Sequence, residues 1–209
     1  MRLFLFLLKE LVFATHNEHK AAEIQALLGM DFRVLTLDEV GFFKDLPEDQ
    51  KTLEGNAVQK ARFVHKHLKR DCFADDTGLE VPVLGDAPGV YSARYAERSN
   101  ERMPGESVPN ANMRKLLRQL EGFEERAARF RTVIALIMDG RQTLFEGIVE
   151  GSILFERRGE AGFGYDPVFL PTGCRQTFAE MTLAEKNRIS HRARAVTKLA
   201  EFLKNCRGT

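Results

Sequence analysis

Residues 11–14, Leu-Val-Phe-Ala, form a short unbroken apolar run, as a strand covered on both faces requires. After a polar loop, Ala21, Ala22, Ile24, Leu27 and Leu28 recur at helical spacing, and Gly29 supplies a C-terminal stop. The loop between them, THNEHK at 15–20, has Thr15 and Glu18 at the spacing of a capping box, which gathers its polar side chains and the first helical N–H groups in one place. Helix N-termini attract anions. A second helix is predicted over 52–68. A strand over 72–74 then runs into Asp75 and Asp76, and acids at a strand end suit the crevice of an α/β sheet.

Further along, 82–109 gathers proline and glycine and reads as a long surface excursion; irregular segments of that kind in compact domains are often functional. A helix is predicted over 111–120. Residues 128–138 and 142–153 are rich in β formers and joined through Asp139-Gly140, the strongest short hairpin signal in the chain, so antiparallel strands join the sheet. Thr182 and Glu185 form a second capping box ahead of a helical pattern through Ala195, Leu199, Phe202 and Leu203. The whole pattern predicts a mixed α/β protein without internal repeats.

Composition sharpens this picture. At 209 residues and 44% hydrophobic content, the chain can bury one sizeable core, as one domain or as two lobes sharing a sheet. We read 1–209 as a single domain in which 1–10 is an N-terminal extension. Its apolar run, 3–8, is too short for a membrane span, lacks a cleavage site and ends at Lys9 and Glu10. The 31 Lys and Arg against 30 Asp and Glu leave no global field for nucleic acid or a lipid surface, so neither is an expected partner and phosphate binding must be local. Three scattered cysteines, Cys72, Cys174 and Cys206, form neither a disulfide framework nor a zinc pattern, and a reducing cytoplasm fits them.

The acidic segment FADDTGL at 73–79 is the centre of the candidate chemistry. Adjacent side chains on a strand diverge, so Asp75 and Asp76 can do two jobs, one facing a hard cation and the other a water molecule. Taken alone, Asp-Asp-Thr-Gly also reads as a solvated turn. A second acidic run, 45–49, offers Glu48 as a further ligand, direct or indirect, and magnesium commonly takes one or two carboxylates together with water and phosphate oxygens. Lys20 and Lys60 can face one phosphate crevice. GFGYDP at 162–167 combines flexible glycines with two rings and an acid, a composition suited to stacking on a base. Lys186, Ser190, His191 and Arg192 bring donors together at a helix boundary, where Arg192 offers paired N–H groups to a purine carbonyl or to phosphate.

In this order, FATHNEHK (13–20), TLEGNAVQKA (52–61), FADDTGLEV (73–81), APGVYSARYA (87–96), GFGYDPVF (162–169) and KNRISHRARA (186–195) resemble the inosine triphosphate pyrophosphatase family. The resemblance spans nearly all of the chain after Lys9. It implies an elongated mixed β-sheet with flanking helices, in two lobes around a central substrate cleft, and usually a homodimer. The activity it implies is magnesium-dependent hydrolysis of inosine, deoxyinosine and xanthosine triphosphates to monophosphate and pyrophosphate.

Carried over by residue, Thr15, His16, Asn17, Glu18, His19 and Lys20 would hold the phosphates. Glu48 with Asp75 or Asp76 would hold Mg2+, and Asp76 would accept the proton. Thr77, Lys60 and Lys186 would contact substrate, and Phe163, Gly164, Tyr165, Asp166, His191 and Arg192 would form the base pocket. His16 stands where that family often has a small residue, and Gly55 where many members have a second acid. A Maf-like nucleotide pyrophosphatase with another base preference and a non-catalytic nucleotide-binding module are the alternative readings.

Overall fold

The computed structural model describes residues 9–29 and 32–206, without the side chains of Lys9 and His19. The extension over 1–8 therefore lies outside the described residues, as does the side chain of His19. Twelve regular elements follow in order: β1 Lys9–Phe13, α1 Glu18–Leu28, β2 Phe32–Leu35, α2 Leu53–Leu68, β3 Cys72–Val81, β4 Ala87–Gly89, α3 Val108–Gln119, β5 Ala127–Met138, β6 Arg141–Ile153, β7 Phe169–Pro171, α4 Leu183–Ile189 and α5 His191–Asn205. Among the described residues no helix is long and apolar enough to cross a membrane.

One mixed sheet carries them in the order β2-β1-β3-β5-β6-β7, with β4 beside β3. β1 runs parallel to β2 and β3, and every other pairing is antiparallel. The β5–β6 hairpin closes through Asp139 and Gly140, both at positive φ (50° and 73°), as a two-residue turn of matching twist requires.

Strand pleating divides the core. Phe13, Phe73, Ile134 and Leu136 point to the face covered by Ile24 of α1 and Val196 and Leu199 of α5. Their alternates Val12, Ala14, Cys72, Ala74 and Val133 point to Ala57, Ala61 and Val64 of α2. A third cluster, at the far ends of β3, β5 and β6, joins Leu79, Phe130 and Val149 to Leu116 of α3 and to Tyr165, Phe169 and Phe178. α5 begins directly against β6: a Cβ on Gly147 would stand 2.0 Å from the carbonyl oxygen of His191, so only glycine admits this approach.

Two local expectations need correction. Asp75 and Asp76 do not stand at a strand end, because β3 pairs with β5 without interruption from Cys72 opposite Ile137 to Glu80 opposite Arg129. Gly78 marks a close approach rather than a turn; a Cβ there would lie 2.6 Å from the carbonyl oxygen of Gly89 in β4. Thr15 does not cap α1 either. Asn17 is the N-cap, its side chain accepting from the Lys20 N–H, while Thr15 Oγ1 accepts from the Asn17 N–H one step earlier. The capping box at Thr182 and Glu185 forms in full.

Candidate active site

Pleating also decides what the two adjacent acids do. Asp75 follows Phe73 on the α1/α5 face and Asp76 follows Ala74 on the α2 face. Asp75 is 2% exposed; its Oδ1 accepts from Lys20 Nζ of α1 at 3.0 Å, and Arg192 Nε of α5 lies 3.6 Å from Oδ2. Thr77, on the same face, sits 2.7 Å from Thr132 across the β3–β5 ladder. Asp76 Oδ1 instead accepts from Lys60 Nζ at 3.1 Å, and Oδ2 from Asn56 Nδ2 at 3.0 Å, both on α2. Lys60 Nζ also donates to Glu48 Oε1 at 2.6 Å. Glu48 and Asp76 thus converge on one ammonium, whereas Asp75 is engaged from the other face.

Electrostatics separates the pair further. Burial pushes the Asp76 carboxyl up, and Lys60 and Asn56 only partly offset it. Burial also works against the charge on Asp75, but Lys20, Arg192 and Lys60 outweigh it and hold its pKa below the usual carboxylate range. Burial opposes the charge of Lys60, yet Asp76, Asp75 and Glu48 raise its pKa. Two neighbouring titratable groups shifted in opposite directions are a mark of divided acid–base roles.

The depressed pKa of Asp75 has a measurable sign. A carboxylate held more acidic in the folded state stabilises the fold above its unfolded pKa of about 3.9, and that contribution fades as pH falls toward the folded value. The melting-temperature gap between the native protein and Asp75→Asn is therefore expected to be largest near neutrality and to shrink below about pH 4. A gap constant with pH would count against this ion-paired role.

An open cleft of about 790 Å³ is lined by Thr15, Glu18, Lys20, Glu48, Lys60 and Asp75, with His16 and Asn17 on its rim. His16 is tethered outward, Nδ1 to Asp38 at 2.9 Å and Nε2 near the Lys44 carbonyl at 3.3 Å. Glu54 pairs with Arg131 of β5.

The second group of nominated residues lies where α4 meets α5. Phe163 is 46% exposed, with Lys186 Nζ 4.6 Å and the Arg192 guanidinium carbon 5.6 Å from its ring centre. Gly164 beside it is at positive φ, 63°. Asp166 is buried and shapes the loop, accepting from Lys186 Nζ at 2.7 Å and from the Phe163 N–H at 2.8 Å. Tyr165 packs into the third core cluster and donates to the Ser92 carbonyl at 3.0 Å, so its ring does not face the open side of Phe163. His191 stacks on Phe130 with ring centres 4.7 Å apart, and burial together with the Arg192 and Lys186 charges keeps it neutral.

Arg192, 2% exposed, pairs with Glu23 through Nη1, while Nε and Nη2 have no hydrogen-bond partner among the described residues. Of the two, Nε faces Asp75 Oδ2 at 3.6 Å, and Nη2 is the donor left for an acceptor. Residues 11–202 match the Ham1 family. The chain belongs to that family. Two Ham1 proteins of solved structure superpose closely: that of Staphylococcus aureus, with a TM-score of 0.83, 36% identity and coverage of 94% of this chain and 99% of that one, and that of Coxiella burnetii, with 0.84, 35%, 95% and 100%. The dITP/XTP pyrophosphatase of Christiangramia forsetii is 50% identical over 196 residues, covering 93% of this chain and 98% of the relative. The dITP/XTP pyrophosphatase of Bacillus subtilis is 43% identical over 203 residues, covering 95% and 99%.

Sequence reasoning missed Glu23 and Asn56. Both were within reach of a spacing argument: Glu23 lies three residues after Lys20 on α1, and Asn56 four before Lys60 on α2, so each shares a helical face with a nominated lysine.

Proposed function

We propose that this Ham1-family chain hydrolyses inosine, deoxyinosine and xanthosine triphosphates to the monophosphate and pyrophosphate, with Asp76 as the base that activates water at the α-phosphorus. The observation that carries this reading is the split pair Asp75 and Asp76, found in a chain half identical to a dITP/XTP pyrophosphatase. A base whose pKa is raised toward the working pH transfers a proton more effectively. Lys60 touches Asp76 and Glu48 and can exchange either contact for a phosphate oxygen. Lys20, lining the cleft with the first turn of α1, takes the remaining phosphate charge.

The donor set suits magnesium: Glu48 and Asp76 are hard oxygen donors drawn to one point, and magnesium needs few protein ligands. When bound by them, the ion would supply charge neutralisation at the phosphates. Phe163 offers an exposed ring to the base, and the unspent N–H groups of Arg192 suit a 6-oxo purine, which accepts there, better than the donating 6-amino group of adenine. Catalytic efficiency, kcat/KM, on inosine and xanthosine triphosphates is accordingly expected to exceed that on ATP by orders of magnitude. Equal efficiency on ATP would overturn the selectivity.

A further inference from the structure

We propose that Asn56 is a positioning residue that locks the base Asp76 and the Glu48-bearing loop into one frame, an inference that rests on the pyrophosphatase reading above. Asn56 is 1% exposed and lies one turn before Lys60 on the same face of α2. Its two ends serve different groups: Nδ2 donates to Asp76 Oδ2 at 3.0 Å, and Oδ1 accepts from the Gln50 N–H at 2.9 Å. A carboxylate only accepts and a backbone N–H only donates, so a flipped amide would lose both bonds. The orientation is fixed by chemistry.

The segment it holds needs such ties. Residues 42–50 form no helix or strand of their own. Arg94 Nη2 donates to the Glu48 carbonyl at 2.8 Å, and Gln59 Nε2 donates to Asp49 Oδ1 at 2.7 Å. The loop lies directly on the first turn of α2, where a Cβ at Gly55 would stand 2.7 Å from the Cβ of Gln50. Lys60 also joins loop to base, through Glu48 and Asp76, but its ammonium is a natural phosphate ligand and a triphosphate in the cleft competes for it. The neutral amide of Asn56 has no such competitor. Its bonds are the part of the frame that survives when the charges regroup.

Two variants separate positioning of the base from mere anchoring of the loop. Asn56→Asp keeps the shape and still accepts from the Gln50 N–H, but replaces the amide donor at Asp76 with a carboxyl, and the pair then shares a proton that the base must release; Asn56→Ala loses both bonds. Partners that orient a reacting or ligating group are typically worth about 10–100-fold, so kcat on inosine triphosphate is expected to fall by that factor in both variants, with KM little changed. Tryptic cleavage at Lys44, within the loop, and at Lys51, just after it, is expected to quicken in Asn56→Ala and to stay native in Asn56→Asp.

A folded Asn56→Asp variant with native kcat overturns the inference, and so does a kcat loss that tracks tryptic cleavage across the two variants. Asn56→Asp decides alone if Asn56→Ala does not fold. A native protein that releases no pyrophosphate removes the underlying reading instead, and that result is read before any variant is compared.

Discussion

Asp76→Asn is expected to lower kcat on inosine triphosphate by about a hundred- to ten-thousandfold, the usual worth of general-base help, while the fold persists. The substitution is nearly isosteric, but both carboxylate oxygens accept from donors, so the new amide oxygen keeps one of Asn56 and Lys60 while its NH2 faces the other. Burial already disfavours the ionised carboxyl there, so removing the charge relieves a cost as well as breaking an ion pair. These effects oppose each other, so the variant should still fold, with a modest drop in melting temperature at neutral pH. Turnover within tenfold of native by a folded Asp76→Asn variant would remove Asp76 from the role of base. Asp75→Asn, on the other sheet face, is the natural comparison, because it disturbs Lys20 and Arg192 and leaves Asp76 with both of its partners.

The second large effect concerns Arg192. Its guanidinium joins α5 to Glu23 of α1 and lies beside Asp75, with almost no solvent contact. Arg192→Met strands a carboxylate in the interior, and breaking a buried pair from one side typically costs about 3–5 kcal/mol. For a chain of this length that corresponds to a drop of about 6–20 °C in melting temperature. The double variant Arg192→Met/Glu23→Gln should recover much of the loss, because the stranded charge is then gone. Selectivity should not recover with it, since the unspent donors that suit a purine carbonyl are absent from both variants. A single variant melting close to native, or a double variant that regains preference for inosine triphosphate over ATP, would contradict this role.

How much of this was legible in the chain depended on range. The Asp139-Gly140 hairpin and the Thr182–Glu185 box were readable because each is decided within four residues, by positive-φ tolerance and by reciprocal capping. Asp-Asp-Thr-Gly misled because its composition favours a turn, whereas nine residues of β5, from Arg129 to Ile137, hold it extended from Cys72 to Glu80. Pleating was the more useful local rule: it foretold that Asp75 and Asp76 diverge, though not what each meets. Their partners come from α1, α2 and α5, and the Arg192–Glu23 pair bridges 169 positions, a distance no pattern in the sequence encodes. Tyr165 and Asp166 lie in the glycine-rich loop nominated for the base, yet one serves the core and the other the loop's own shape.

Magnesium-dependent attack at the α-phosphorus is read from the products that the native protein forms from inosine triphosphate in water labelled with heavy oxygen, with and without magnesium. The expected result is labelled inosine monophosphate and unlabelled pyrophosphate in equal amounts, without orthophosphate, and almost no reaction once the metal is chelated. Label in the pyrophosphate, inosine diphosphate with orthophosphate, or undiminished hydrolysis in the presence of chelator, would contradict it.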